Sequence, residues 1–198
     1  MYEIDIFFKN LDFNWSIIES AAVFFSILYV ILAVKESIWC WAAAAISVSL
    51  YIYICYTAQL YTETGLQVFY LIMAFYGYHQ WNKNNSTLKV KQWTTIKHLL
   101  ILVLAASLTF LMGFYFTIYT DAAMPLVDSF TTVFSVFATY MITKKILGNW
   151  LYWIVIDAVS VYLYFSRDLH LTSLLFIVYT VIAILGYFSW LKRNNELA

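Results

Sequence analysis

Seven apolar stretches recur along the chain, at residues 16–34, 38–56, 62–81, 96–119, 125–143, 149–166 and 171–190. Each approaches the roughly 20 residues that an α-helix needs to cross about 30 Å of hydrocarbon. The connections are short except 82–95, which is polar and basic. The pattern predicts an all-α membrane protein with seven transmembrane helices.

The stretches repeat one another. Helices one to three map onto helices five to seven at a constant offset of 109 residues without a gap, with about fourteen identities over some sixty-five positions. Gly77-Tyr78-x-x-Trp81 matches Gly186-Tyr187-x-x-Trp190, Tyr70 falls on Tyr179, Ala74 on Ala183, Trp41 on Trp150, Ser26 on Ser135, and Glu19 on Asp128. Three helices followed by one linker helix put the second triplet on the same side as the first. The expected architecture is a parallel 3+1+3 repeat, as in SWEET-type transporters, with a substrate path between the triplets. The units are residues 16–83, a basic loop and linker helix over 84–124, and residues 125–192.

Composition agrees with a bilayer as solvent. Apolar residues make up 64% and charged residues 11%, with a mean hydropathy of +0.78; soluble domains carry roughly 25% charged residues. Lysine and arginine gather on one side of the predicted topology, around Lys35, 83–97, Lys144, Lys145, Lys192 and Arg193. The other side holds only Lys9 and Arg167 among several carboxylates. The positive-inside rule makes the first side cytoplasmic, with the N-terminus outside and the C-terminus inside, as an odd number of crossings requires. The acidic start of the chain does not read as a cleaved signal.

Several function classes drop out. A net charge of zero offers no nucleic-acid footprint. His79, His98 and His170 are isolated in sequence, which gives no metal cluster, and no phosphate-cradling glycine loop is present. Helix seven has no lysine before Lys192, which argues against a retinal Schiff base. No enzyme signature and no cofactor are expected.

The candidate chemistry concentrates in helix six. Asn149, Trp150, Trp153 and Asp157 fall within roughly 140° of one helical face, and together offer an amide, two indoles and a carboxylate. A mid-helix aspartate costs on the order of 3 kcal/mol to insert, so Asp157 is a site residue unless it is protonated and used for packing. Helix three presents Gln67, Tyr70, Ala74, Tyr78 and Trp81 as one stripe. Helix seven repeats that stripe with Phe176 in place of Gln67, so the amide is unique to the first triplet and the better ligand contact. Tyr70 and Tyr179 are further candidates, and Trp81 and Trp190 read as membrane-interface anchors. Glu19, at capping-box spacing from Ser16, and Asp128, after Pro125, read as helix-start residues.

The run Asn149-Trp150-x-x-Trp153-x-x-x-Asp157 followed by Tyr162-Leu163-Tyr164 resembles the signature of the PnuC family of bacterial vitamin transporters. So do Leu60-Tyr61, Leu66-Gln67-x-x-Tyr70 and Gly77-Tyr78-x-x-Trp81. The resemblance runs from about Glu19 to Lys192. It departs where Trp39-Cys40-Trp41 runs into Ala42 rather than toward a proline, and where Tyr78 stands in place of a frequent tryptophan.

Membership implies a bacterial inner-membrane uniporter, a homotrimer with one path per protomer, and nicotinamide riboside as the usual small-molecule substrate, moved by facilitated diffusion. Thiamine or riboflavin serves related subgroups. The resemblance assigns substrate contact to Gln67, Asn149, Trp150, Trp153 and Asp157. Aromatic faces attract cations, by up to about 2 kcal/mol when desolvated, and both nicotinamide riboside and thiamine carry a fixed positive charge on a flat ring. The residues by themselves leave those two vitamins open, along with proton coupling through Asp157 and a vitamin-binding sensor without flux.

Overall fold

The computed structural model describes residues 17–58, 61–83 and 89–196. Among them are seven helices: α1 (Ile17–Val34), α2 (Trp39–Thr57), α3 (Tyr61–Lys83), α4 (Thr95–Tyr119), α5 (Pro125–Thr143), α6 (Asn149–Phe165) and α7 (His170–Glu196). Ser16, the expected capping partner of Glu19, and the N-terminal charges used for orientation lie outside the described residues. The predicted limits hold to within a residue or two, except that α7 continues six residues past Trp190. Arg193 in that extra stretch bonds Glu36, which gives the added turns a tertiary anchor.

Five helices are long and apolar enough to cross a bilayer: α1, α2, α4, α5 and α7. The other two, α3 and α6, fall short for different reasons. α3 contains Glu63, Gln67 and Gln80, and α6 has only 17 residues with Asp157 among them. The polar residues of α3 dilute its apolar run and α6 is short, so by length and composition the seven expected crossings reduce to five.

α5 opens with Pro125 in its first turn, where a missing N–H costs nothing. α1, α5 and α6 stop through the same device. Glu36 (φ 55°), Lys145 (φ 52°) and Asp168 (φ 58°) adopt the left-handed conformation just past the helix. The following amide then reaches back to a carbonyl of the last turn: Ser37 N to Leu32 O, Ile146 N to Met141 O, Leu169 N to Tyr164 O. The only sheet-like pairing among the described residues is a lone bridge: Lys91 N donates to Lys145 O (2.9 Å) and Leu147 N to Lys91 O (2.8 Å). It docks the basic connection onto the α5–α6 turn.

Helices pack chiefly with their sequence neighbours, α1–α2–α3 on one side and α5–α6–α7 on the other, and α4 lies against α5. The two groups of three meet where α1 touches α7 and α3 touches α5. At one end of that seam four indoles form a connected set: Trp41 on Trp81 (5.3 Å), Trp81 on Trp190 (6.4 Å) and Trp190 on Trp150 (5.4 Å). Trp81 Nε1 donates to Thr143 O, and Trp190 Nε1 to Val34 O and Ala33 O.

Trp81 and Trp190 are therefore not the interface anchors their terminal positions suggested. They are buried and satisfy helix-end carbonyls of the opposite group. Gly77 leaves room for Trp41, and Gly186 for Trp150. Each of these contacts has a counterpart 109 residues away.

Candidate functional site

A cavity of about 560 Å³ lies between the two groups of three, lined by residues of every helix. Its narrow end is walled by Ala33, Trp41, Ala44, Ile142 and Trp150, near the turns that follow α1 and α5. The other end reaches Glu63, Thr120, Ala122, Asp128 and Arg167, where the helix termini are exposed.

Six of the seven residues singled out in sequence converge on this space: Gln67, Tyr70, Trp150, Trp153, Asp157 and Tyr179. α6 supplies three of them because positions 150, 153 and 157 share its inner face. α3 and α7 supply Gln67, Tyr70 and Tyr179 from opposite walls. Asn149 stands apart: it is fully buried but does not line the cavity. At the first position of α6 its amide nitrogen turns back to Ile146 O (2.7 Å). The helical-face argument fixed its angle but not this local bond, which competes for short polar side chains at helix starts.

Asp157 is 4% exposed at mid-helix. None of the hydrogen bonds or ion pairs among the described residues uses its carboxyl. A buried carboxylate without a partner is costly, so the position favours a ligand that brings a donor or a positive charge. Around it the walls are aromatic and hydroxylic. Tyr179 Oη and Ser26 Oγ share a hydrogen bond that bridges the two groups of helices. Tyr164 stacks on Phe176 (5.1 Å between centroids, 10° between planes), and Phe176 meets Tyr179 edge-on.

Sequence reasoning passed over Tyr29, Tyr51, Ser47, Ser160 and Arg167, all of which line the cavity. Ser26 and Ser135 carried a signal, since both hydroxyls persist at the 109-residue offset. Tyr29, Tyr51, Ser47 and Ser160 sit on apolar stretches where nothing in the order of residues distinguishes an inward from an outward face, and Arg167 lies in the turn after α6, where it read only as a topology marker. Asp128 proves to be more than a helix-start residue: its Oδ2 accepts from Arg167 Nη2 at 2.7 Å beside the cavity mouth. Among the lining residues, three carboxyl groups (Glu63, Asp128 and Asp157) face the single guanidinium of Arg167. Cations and neutral polar solutes suit such a space; anions do not. No group of three or more potential metal ligands occurs among the described residues.

Comparison with known proteins bears on the same cavity. The nicotinamide mononucleotide transporter family matches residues 16–192. The nicotinamide riboside transporter PnuC of Escherichia coli (strain K12) is 27% identical over 93% of this chain and 88% of its own length. The nicotinamide riboside transporter PnuC of Neisseria mucosa is 28% identical over 94% of this chain and 75% of its own. A crystal structure of the vitamin B3 transporter PnuC superposes with a TM-score of 0.74 at 27% identity, covering 91% of this chain and 83% of that one. With a shared fold, a family match over nearly the whole chain and a central cavity between two helix groups, this chain belongs to the nicotinamide mononucleotide transporter family, and is a membrane transporter rather than an enzyme.

Proposed function

We propose that this protein takes up nicotinamide riboside by facilitated diffusion, exposing its central cavity alternately to the two sides of the membrane. The observation that carries this reading is the buried Asp157 carboxyl, which makes no hydrogen bond or ion pair among the described residues, on an aromatic-walled cavity of about 560 Å³. That volume falls within the usual range for small-molecule sites, about 300–1,000 Å³. Trp150, Trp153, Tyr70 and Tyr179 offer π faces to the cationic ring, Asp157 balances its charge, and Gln67 reads an amide or hydroxyl. Asn149, which does not line the cavity, acts by fixing the first turn of α6 through its bond to Ile146 O. A mononucleotide would bring a phosphate among three carboxyl groups and one guanidinium, which favours the riboside over its phosphorylated form. The names of the relatives favour the riboside over thiamine, whose charge would suit the same walls.

The 109-residue correspondence of contacts supports a duplicated 3+1+3, SWEET-like architecture, with units 16–83, 84–124 and 125–192. The two triplets rock about the cavity. The distribution of lysine and arginine supports a multi-pass protein of the bacterial inner membrane with the C-terminus cytoplasmic. The family resemblance supports a homotrimer.

Uptake of labelled nicotinamide riboside and of thiamine into proteoliposomes tests the reading, with the parent chain and Asp157→Asn. Truncating one partner of a buried charge pair costs about 2–5 kcal/mol, so the variant should lose at least about thirtyfold in kcat/KM. Thiamine flux alone would replace the substrate. Saturable binding without flux would replace the transporter with a sensor. Accumulation abolished by an uncoupler would replace diffusion with proton coupling.

A further inference from the structure

The narrow end of the cavity is closed by a charged cluster that the candidate site does not use. The α1–α2 turn and the α5–α6 turn meet there at Glu36 and Lys145, positions 109 residues apart with matching left-handed backbones. Lys145 Nζ lies 2.8 Å from Glu36 Oε2, and Arg193 Nη1 lies 2.8 Å from Glu36 Oε1. Arg193 also donates to Lys35 O. The Glu36 and Lys145 side chains are only 14% and 12% exposed. Lys145 Nζ sits 4.6 Å over the Trp81 ring, and the lone bridge from Lys91 holds the Lys145 carbonyl. One carboxylate, with both oxygens engaged, thus joins the α1 end, the α5–α6 turn and α7 directly above the Trp81–Trp190 contact.

We propose that Glu36 is a positioning residue of the transport cycle: its carboxylate is the latch that keeps the narrow end shut while the opposite end is open. Resting on the transport reading above, the proposal follows from the connectivity. Glu36 and Lys145 belong to different groups of three, so any movement that separates the groups at this end must break their ion pair. The pair at the mouth is a different case. Asp128 and Arg167 both belong to the second group, so their bond does not oppose separation. Partly buried, multiply bonded charges are also the ones whose loss is felt most. At equivalent positions of the two groups the sequence has placed opposite charges, which turns the meeting of two like turns into an attraction.

Labelling kinetics test the latch. In a background of Cys40→Ala and Cys55→Ser, Ala44→Cys places a thiol at the narrow end of the cavity. A membrane-impermeant sulfonated maleimide is then applied to inside-out and to right-side-out vesicles. Glu36→Gln and Lys145→Gln should each speed labelling from the cytoplasmic face by about tenfold and slow it from the outer face. Lys145→Arg, which keeps the charge, should stay within about twofold of the parent. Unchanged rates in both glutamine variants would overturn the latch, as would Lys145→Arg behaving like Lys145→Gln. The same acceleration at the opposite face would retain the latch and overturn the orientation. A parent that takes up no vitamin, while the glutamine variants still accelerate labelling, would overturn the transport reading and leave the latch standing.

Discussion

Gly186→Ala should destabilise the protein, although alanine is ordinarily the better helix residue by about 1 kcal/mol. A Cβ on Gly186 would stand 2.8 Å from Cδ2, Cε2 and Cε3 of Trp150. Ordinary carbon contacts fall at about 3.5–4.0 Å, so the ring or α7 must give by about 0.7 Å. The ring has little freedom to retreat. Trp150 is 1% exposed and meets Trp190 edge to face at 89°. Overpacking of this kind costs about 1–3 kcal/mol, enough to cancel the propensity gain and exceed it.

Thermal unfolding of the purified chain in detergent, read alongside vitamin uptake, measures both consequences. Gly186→Ala should melt lower and transport more slowly, because the displaced ring borders the cavity. Adding Trp150→Ala removes the ring in conflict, so the double variant should be less destabilised than the sum of the single effects. It should not recover uptake, since the indole face is gone. A Gly186→Ala protein at least as stable as the parent would show that propensity governs here and that the Trp150 seat is not tight.

Trp190→Phe keeps an aromatic plug but leaves Val34 O and Ala33 O without the indole donor. A loss of about 1–3 kcal/mol is expected in denaturant or thermal unfolding, and a change below about 0.5 kcal/mol would refute the assignment. Arg167→Gln removes the only guanidinium on the cavity wall. Its pair with Asp128 is about one-third exposed on both sides, so stability should change by less than about 1 kcal/mol. The mouth becomes more negative, so uptake of a cationic vitamin should quicken at low ionic strength and the gain should vanish at high salt. Slower uptake independent of salt would instead make Arg167 a direct contact.

The run of apolar segments determined the helical membrane class, and the seven helices lie where the pattern placed them. The order of residues along α6 was enough to find Trp150, Trp153 and Asp157, because three residues on one helical face need only the 3.6-residue period to be brought together. The same period located Gln67, Tyr70 and Tyr179 on their helices.

What it could not decide is which face of an apolar helix looks inward. In a lipid-facing chain both faces are hydrophobic, so Tyr29 and Tyr51 carry no mark of the cavity they line. Nor could it separate a tryptophan at the membrane interface from one buried in a seam, since both occupy helix ends. Trp81 and Trp190 became interior residues only once Thr143 and Val34 were brought across from the opposite group. Glu36 and Lys145 read as two turn residues among many; only the packing of one helix group on the other set them 2.8 Å apart. Local periodicity is written in neighbouring residues, whereas contacts between distant helices depend on how whole faces dock, and that docking is a property of the assembled fold.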